Sequence, residues 1–248
     1  MTVQRAAELL GEARSGLALT GAGISAESGI PTFRGEGGVW KKFDPVKVAS
    51  IDYFLADPGA YWIASRERGR AALVATPNPG HGALAELEAA GRLVAIVTQN
   101  TDGLHQDSGS KRVIELHGSG RTVQCLDCGF REPRSEVQGR LEVEMPPRCR
   151  SCGGILLKPT VVLFGEAMPQ AAVQEACALA READVMLVVC TSLVVYPAAE
   201  VPLIAVRSGA RMVVVNAEPT PFDHLAEVVI HGRSGEVLPE IARLVSGG

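Results

Sequence analysis

The sequence predicts an α/β fold in which a Rossmann-like parallel sheet is covered by helices on both faces. Three observations support this prediction. Short, continuously apolar runs, which are typical of strands buried on both faces, alternate with helical patterns along the 248 residues. The first run, at 17–20, leads directly into a glycine-rich turn. Hydrophobic residues make up 46% of the chain, which is enough to fill a full core of this kind.

The predicted elements follow one another in a regular order. A first helix begins near Thr2, and a later helix ends at about Ala90, with Gly91 as its C-terminal cap. The region 36–76 has no strand pattern and contains most of the aromatic residues, so we expect a small helical insertion there. The expected strands are 17–20, 93–98, 113–116, 185–190 and 211–216, and the expected helices after the first are about 81–90, 170–182 and 197–208.

The glycine-rich turn contains a nucleotide-binding pattern. Gly21, Gly23 and Ala26 form Gly-x-Gly-x-x-Ala. In this pattern the first glycine permits the tight turn, the second leaves room for phosphates, and the alanine lets a following helix pack on the sheet. A lone pattern of this kind is often only a tight turn. The particular continuation from Ser28 to Gly35 favours a nucleotide site.

The expected acidic ribose ligand of a dehydrogenase is missing from its usual place. That ligand would stand about 20 residues after the turn, at the end of a second strand. Residues 33–45 are instead rich in glycine and polar side chains, and no strand is expected to end there. Glu218, which follows the strand at 211–216, is a better candidate. This arrangement favours chemistry on the ribose over hydride transfer.

Four of the six cysteines form two closely spaced pairs. Cys125-x-x-Cys128 and Cys149-x-x-Cys152 match a four-cysteine zinc site, in which thiolates on two tight turns converge on one ion. Because sulfur fills all four positions, this zinc would be structural. Two redox dithiols or two vicinal disulfides are the alternative. Together with the helical insertion, the zinc module is expected to form a smaller lobe.

Chemically active side chains follow two of the predicted strands. Gln99, Asn100 and Asp102 come after the strand at 93–98, at the carboxyl edge where open α/β sheets bind ligands. His117 closes the next strand, and an imidazole can remove a hydroxyl proton near neutral pH. The alternatives are a polar turn with Asx capping, which would explain Asn100 alone, and a structural histidine.

These motifs, taken together, resemble the sirtuin family. The matching segments, in the family's order, are 21–35, 99–102, 117–118, the two cysteine pairs, 159–166, 191–193 and 215–216. The similarity extends from about Gly16 to Leu238. It implies a single catalytic domain over 1–248, with a Rossmann-like lobe at about 1–31, 77–118 and 158–248 and a smaller lobe at about 32–76 and 119–157.

The resemblance implies NAD-dependent removal of acyl groups, acetyl by default, from the lysines of a protein or peptide substrate. The acyl oxygen would attack C1′ of the nicotinamide ribose, nicotinamide would leave, and the acyl group would end on ADP-ribose. NAD would therefore be consumed as a co-substrate, and one Zn²⁺ would be structural. His117 and Asn100 are the implied catalytic residues, with His117 as general base and Asn100 beside Asp102 in the nicotinamide pocket.

The family's other site residues carry over onto matching positions. Phe33 would shield the anomeric carbon from water, and Arg34 would contact the phosphates or ribose. The implied NAD-binding residues are Gly21, Ala22, Gly23, Ile24, Ser25, Glu27, Thr32, Phe33, Arg34, Trp40, Gln99, Asn100, Asp102, Thr191, Ser192, Asn216, Glu218 and Ser234. The implied substrate-binding residues are Val161, Val162, Phe164, Gly165, Glu166 and Arg68. An extended peptide would add as a strand beside 161–166, although an ordinary buried strand has the same composition.

Three positions depart from the common sirtuin pattern. Thr32 stands where many members carry Asp, and Cys190 replaces the glycine before Thr-Ser. Desuccinylating members carry Tyr-x-x-Arg in the helix after Asp-Pro, whereas this chain has Ser65 and Arg68 at those positions. An arginine there could still bind a succinyl or malonyl carboxylate, so this preference stays an alternative to acetyl.

Two further functions and the cellular setting complete the expectations. The same C1′ electrophile could serve ADP-ribosyl transfer to a protein, and a non-enzymatic NAD or ADP-ribose sensor with a zinc interaction lobe is a third possibility. A formal net charge of −4 and a pI near 5.8 give no general attraction to nucleic acid. With no signal-peptide pattern and no apolar stretch of membrane-spanning length, we expect a soluble cytoplasmic protein that binds neither specific nucleic acid nor membranes.

Overall fold

The computed structural model describes residues 2–32 and 49–247. Within these residues the strands are β1 (Gly16–Thr20), β2 (Leu93–Thr98), β3 (Val113–Glu115), β4 (Gly118–Cys125), β5 (Arg131–Pro133), β6 (Leu157–Val161), β7 (Val185–Val189), β8 (Arg211–Val215) and β9 (Val228–Ile230). The α-helices are α1 (Thr2–Glu12), α2 (Ile51–Ala56), α3 (Pro58–Val74), α4 (Pro79–Ala89), α5 (Leu104–Asp107), α6 (Arg134–Arg140), α7 (Gln170–Glu182), α8 (Glu200–Arg207) and α9 (Ser234–Ser246). None of the described helices combines the length and the hydropathy needed to cross a membrane.

Six of the strands form one parallel sheet in the order β3-β2-β1-β7-β8-β9. Every residue of β1 and β7 is buried, as their continuous apolar sequences predict. The strand order reverses at β1, which lies between β2 and β7. At such a point a crevice opens at the carboxyl ends of the two strands, and open α/β proteins bind ligands there.

Helices cover both faces of this sheet. On one face α1, α4 and α9 contribute Leu9, Leu84 and Leu238 to a buried apolar cluster. On the other face α7 and α8 pack small residues such as Ala180 and Ala205 against the strands. The predicted α/β fold, with a parallel sheet between two helical layers, is therefore confirmed.

A second module contains the antiparallel sheet β5-β4-β6 and the helices α2, α3 and α6. Its core gathers aromatic residues of the helical insertion, among them Phe54 and Trp62, against Val123 and Leu157 of the sheet. The indole Nε1–H of Trp62 donates to the carbonyl of Leu157 at 2.9 Å, which ties α3 to β6. A helical insertion and the cysteine segment thus share one core, as expected.

The strands β4, β5, β6 and β9 were not predicted from the sequence. β4 is only partly buried and contains two glycines, so it lacks the continuous apolar run of the parallel strands. β5 and β9 have three residues each, too few for a clear pattern. The predicted helix 81–90 begins earlier, at Pro79, because Asn78 caps it and proline is favoured in the first turn. The strand at 185–190 ends at Val189, since Cys190 adopts a left-handed conformation with φ of 52°.

Candidate active site

A cavity of about 1320 Å³ lies where the loops that follow β1, β2, β7 and β8 face the second module. Its lining also includes parts of α3 and α6 and the segment 159–168. Most of the sequence-predicted site residues contribute to it. These are Gly21, Ala22, Gly23, Ser25, Glu27, Thr32, Arg68, Gln99, Asn100, Asp102, His117, Val161, Val162, Phe164, Gly165, Glu166, Thr191, Ser192, Asn216, Glu218 and Ser234.

Four of the predicted NAD-binding residues are not among the lining residues. Phe33, Arg34 and Trp40 lie outside the described residues. The side chain of Ile24 is fully buried in the core below α1, α4 and α9, and its carbonyl accepts a hydrogen bond from Asn78 Nδ2 at 2.7 Å. The side chain of Ile24 therefore anchors the turn in the core, and its contact with NAD stays a prediction.

The glycine-rich turn packs directly on the loop after β7. A Cβ atom at Gly21 would lie 2.8 Å from the Cβ of Thr191, and one at Gly23 would lie 3.0 Å from the Cβ of Cys190. Both glycines therefore permit a close approach of two loops. The expectation for Ala26 was wrong in one respect, because the turn continues as a seven-residue 3-10 helix and Ala26 is exposed instead of packing a long helix on the sheet.

Cys190 keeps a conformation that favours glycine although it carries a side chain. Its carbonyl accepts a hydrogen bond from the N–H of Gly23 at 3.2 Å, so the left-handed backbone turns this carbonyl toward the glycine loop. Burial raises the pKa of the Cys190 thiol. The residue is therefore a neutral, partly buried thiol that lines the cavity beside the glycine-rich turn.

Three polar side chains at the ends of β1 and β2 form a hydrogen-bonded chain. Asn100 Nδ2 donates to Ser25 Oγ at 3.1 Å, and Ser25 Oγ donates to Asp102 Oδ2 at 2.7 Å. The other oxygen of Asp102 accepts from the N–H of Leu104 at 2.9 Å. These bonds fix the carboxylate and leave lone pairs on its oxygens, which can accept further hydrogen bonds from a ligand amide.

His117 is oriented by the main chain at the end of β2. Its Nδ1 lies 3.0 Å from the carbonyl oxygen of Gln99, which can only accept, so Nδ1 carries the proton. In the neutral ring Nε2 is consequently the basic nitrogen. Burial lowers the pKa of His117, while the bond to Gln99 acts in the opposite direction. The residue is thus held as a neutral base on the cavity wall.

The end of the cavity beyond the glycine turn is built from polar groups of several loops. Gln99 Nε2 donates to Thr191 Oγ1 at 2.9 Å, and Asn216 Nδ2 donates to the carbonyl of Glu218 at 2.6 Å. Glu27 Oε1 accepts from the N–H of Gly235 at 3.0 Å and lies 3.3 Å from Ser234 Oγ. The Glu27 carboxylate therefore accepts a hydrogen bond from a free main-chain N–H in the first turn of α9, a role that the sequence did not reveal.

The segment 161–166 leaves the sheet as β6 ends. The N–H of Val162 donates to the carbonyl of His117 at 2.8 Å, and the N–H and carbonyl of Phe164 bond to Ala49 and Ile51. Glu166 Oε2 accepts from the N–H of Leu163 at 2.8 Å and from Lys158 Nζ at 2.9 Å. This ion pair, in which Lys158 is buried and Glu166 partly buried, holds the segment in a compact turn, so only its first residue belongs to a regular strand.

Arg68 also lines the cavity, with two neighbours that the sequence analysis did not single out. These are Tyr61, a buried phenol seven residues earlier on α3, and Arg134 at the start of α6. The Arg134 guanidinium stacks over Trp62 at 4.7 Å, and a Cβ at Gly69 would lie only 1.9 Å from one of its nitrogens. Gly69, in the middle of a helix, is the one sequence signal that could have indicated this close approach.

The four cysteines converge at one point of the second module. All four Sγ atoms lie within 4.8 Å of one another, with 3.7 Å between Cys125 and Cys152 and 3.6 Å between Cys128 and Cys149. Zinc–sulfur bonds of about 2.3 Å in a tetrahedron put sulfurs about 3.8 Å apart. The thiols are not joined as disulfides, so the donor set fits a structural zinc ion.

Comparison with known proteins places this geometry in a family. Residues 21–197 match the family model described as the Sir2 family. An NAD-dependent protein deacylase 2 of Archaeoglobus fulgidus is 51% identical over 243 residues, covering 98% of this chain and 96% of the relative. An NAD-dependent protein deacylase of Thermococcus kodakarensis is 49% identical over 245 residues, covering 97% and 94%.

Solved structures agree in fold over nearly the whole chain. A Sir2 enzyme structure with 50% sequence identity superposes with a TM-score of 0.93, covering 99% of this chain and 98% of the other. The structure of Sir2 with a p53 peptide and NAD⁺ superposes with a TM-score of 0.87 at 41% identity, covering 100% of this chain and 98% of the other. The structure of Sir2Af2 bound to a myristoylated histone peptide has a TM-score of 0.85 at 43% identity, covering 99% of this chain and 97% of the other. The chain therefore belongs to the Sir2 family, and the resemblance noted in its motifs is confirmed.

Proposed function

We propose that this protein is an NAD-dependent protein-lysine deacylase with acetyl-lysine as its default substrate. The observation that carries the proposal is His117, whose neutral ring presents a basic Nε2 on the wall of a large cavity beside Asn100 and Asp102. The names of the relatives, and the NAD⁺ and peptide held by related structures, support the same activity.

NAD is a substrate in this reaction and supplies the ribose carbon to which the acyl oxygen bonds as nicotinamide leaves. The chain's residues position the two substrates and move one proton. Ser25, Asn100 and Asp102 form the pocket for the nicotinamide amide, and the lone pairs of the fixed Asp102 carboxylate accept from it. His117 Nε2 takes a ribose hydroxyl proton, so that this oxygen can accept the acyl group.

The nucleotide and the peptide approach from different parts of the cavity. Gly21, Gly23 and Thr191 lie on the nucleotide side, together with Asn216 and the other polar loop residues. The segment 161–166 lies on the peptide side, with Val162 and Phe164 as walls of the lysine channel. We also propose the division into a Rossmann-like lobe and a smaller lobe, with the cavity between them and one structural Zn²⁺ held by the four cysteines.

A peptide panel tests the proposal. The purified protein is incubated with NAD and acetyl-, propionyl-, succinyl- or myristoyl-lysine peptides, and nicotinamide release and product masses are measured together. Deacylation gives free lysine and O-acyl-ADP-ribose, whereas ADP-ribosyl transfer gives a heavier peptide or protein. His117→Ala is expected to abolish turnover, and the exposed His224→Ala serves as the matched control. An NAD or ADP-ribose sensor would release no nicotinamide with any peptide.

A preference for acidic acyl groups is a second candidate, and one observation favours it. Arg68 and Arg134 both line the cavity, and within the described part of the chain neither guanidinium has a carboxylate partner. Tyr61, in the same part of the lining, offers a phenolic hydroxyl although Ser65 replaces the family's tyrosine. A carboxylate on the acyl chain would form charge-assisted hydrogen bonds with these groups.

Arg68→Met and Arg134→Met test this second candidate, and Arg70→Met on the exposed face of α3 is the control. If the pocket binds acidic acyl groups, kcat/KM for succinyl-lysine falls about 10- to 100-fold in the first two variants, because a hydrogen bond to a charged group contributes about 1.5–3 kcal/mol. The value for acetyl-lysine stays the same. Equal turnover of both peptides by the native protein, unchanged by Arg68→Met, would exclude the preference.

A further inference from the structure

Arg121 on β4 reaches from the second module to the loop 99–103, which lies between β2 and α5. This loop carries Asn100 and Asp102 of the proposed nicotinamide pocket. Arg121 and Asp107, the last residue of α5, both line the cavity. The proposed reaction gives neither of these two residues a role.

An irregularity in β4 brings this part of the strand onto the loop. β4 pairs with β6 up to Ser119 and again from Val123, and the register shifts between these two residues. In the interval the N–H of Gly120 donates to the carbonyl of Thr101 at 2.7 Å. Irregularities of this kind are common beside active sites, where they redirect a side chain. The strand therefore interrupts its pairing with β6 and packs on the loop 99–103.

The guanidinium of Arg121 binds both ends of the short helix α5. Its Nε donates to the carbonyl of Asp102 at 2.8 Å, two residues before the helix begins. Its Nη1 donates to Asp107 Oδ1 at 2.8 Å, and its Nη2 donates to the other oxygen of the same carboxylate. The planar fork of an arginine is suited to such a bidentate contact. Three hydrogen bonds from one side chain therefore join the second module to this turn.

Gly103 makes the close approach of the guanidinium possible. Its φ of 76° is a left-handed conformation that favours glycine. A Cβ atom at this position would also overlap the guanidinium of Arg121 and would lie only 2.8 Å from its Cδ. The arginine is thus packed directly against the main chain of the loop, which a loosely held surface side chain would not be.

The ion pair is charged at neutral pH and partly open to solvent. Hydrogen bonds from Arg121 lower the pKa of the Asp107 carboxyl, so this group stays ionised. The side chains of Arg121 and Asp107 are 42% and 40% exposed. Ion pairs with this exposure contribute little to the global free energy of unfolding. We therefore expect the effect of the pair to be local, on the geometry of the loop 99–103.

Arg121 holds the main chain of Asp102, a residue that lines the cavity. We propose that Arg121 is a positioning residue that, together with Asp107, clamps the loop 99–103 to the second module and so fixes the Asp102 carboxylate for its ligand. The kinetic consequence rests on the proposed function, whereas the clamp itself does not. The module that holds the four cysteines therefore also sets the geometry of the nicotinamide pocket.

Hydrogen exchange of main-chain amides, followed by NMR, tests the clamp without any substrate. The amides of Leu104 and Asp107 are both hydrogen-bonded within the turn. Arg121→Met keeps the aliphatic part of the side chain and removes its donors, so these two amides should exchange about tenfold faster. Arg112→Met, which removes an ion pair with side chains 48% and 44% exposed, is the matched control and should leave both rates unchanged. Native rates in Arg121→Met, or equal acceleration in the two variants, would overturn the clamp, whether or not the protein removes acyl groups.

Inhibition by added nicotinamide tests the consequence for the reaction. Nicotinamide leaves from this pocket, so its inhibition constant measures how well the pocket is formed. The constant should rise about tenfold in Arg121→Met, which is the order expected for one lost hydrogen bond. KM for the acyl-lysine peptide should stay within about twofold of the native value, because the segment 161–166 keeps its contacts. A native inhibition constant, or a peptide KM that rises by the same factor, would refute the positioning role.

Asp107→Asn provides a second route if Arg121→Met does not fold. Asparagine keeps the shape of the side chain and one acceptor oxygen but loses the charge, so the nicotinamide inhibition constant should rise about threefold. In the double variant the constant should be no higher than in Arg121→Met alone, because both changes break the same contact. A folded Asp107→Asn protein with a native constant, or additive effects in the double variant, would show that Arg121 does not act through this pair.

Discussion

Lys158→Met would remove the buried cation that holds the segment 161–166. The Lys158 side chain is 6% exposed and that of Glu166 is 26% exposed. Lys158 Nζ donates to the carbonyls of Pro159 and Val161 at 3.1 and 2.7 Å and to Glu166 Oε2 at 2.9 Å. Methionine has a similar length and lacks the charge, so the change leaves these three acceptors without their common donor.

The expected loss of stability is about 3–5 kcal/mol, the usual cost of removing one partner from a buried ion pair. For a chain of this size each 1 kcal/mol lowers Tm by about 2–4 °C, so Tm should fall by about 6–20 °C. Because the same bonds shape residues 161–166, KM for the acyl-lysine peptide should rise while KM for NAD stays the same. Calorimetry and steady-state kinetics with the peptide and NAD varied separately measure both effects.

A control variant separates burial from charge. Arg112 and Glu175 form an ion pair at 2.7 Å with side chains 48% and 44% exposed. Exposed pairs contribute about 0–1 kcal/mol, so Arg112→Met should shift Tm by no more than a few degrees and leave both KM values unchanged. If Lys158→Met were as stable as Arg112→Met, or if its peptide KM were native, the reasoning about the segment would be wrong.

Three further predictions follow from other parts of the structure. Gly21→Ala should raise KM for NAD by at least tenfold, because its Cβ would lie 2.8 Å from the Cβ of Thr191; a native KM would contradict the packing argument. The free energy of unfolding should fall as the pH is lowered from about 6.5 toward 3, because the unfolded chain then binds a proton at His105, which burial keeps neutral in the folded protein. Chemical denaturation of His105→Gln, which removes that histidine, should show a weaker dependence of the free energy of unfolding on pH. One zinc per chain should be found by elemental analysis, and Cys125→Ala should lose the metal and the activity while Cys177→Ala keeps both.

The parallel sheet could be predicted from the sequence because its strands are buried on both faces. The runs that form β7 and β8 are apolar at nearly every position, which is typical of strands covered on both faces. β4 is only partly buried and its alternation is weak, so its sequence does not predict a strand. The residues of the cavity were named largely through the family resemblance, and the structure brings most of the described ones together.

Other features depend on contacts that no local pattern contains. Ile24 stands between Gly23 and Ser25, which line the cavity, yet its apolar side chain packs in the core. Arg134 reaches the cavity only because Gly69, far away in the sequence, leaves room for its guanidinium. The bond from Asn78 to His81 and the link from His105 to Thr20 likewise join separate elements of the chain. Such pairings follow from the tertiary arrangement and could not be read from spacing.

His117 stands between the last residues of β3, in the parallel sheet, and the first residue of β4, in the antiparallel one. Its nitrogen is held by Gln99 from the first sheet, and its carbonyl is held by Val162 next to β6 of the second. His117 therefore contacts residues at the edges of both sheets and links the two modules. If a chelator removes the metal and loosens the cysteine-rich module, the imidazole of His117 should be displaced while the loops after β1 and β7 keep their structure. Metal loss should therefore abolish turnover before it abolishes the affinity for NAD.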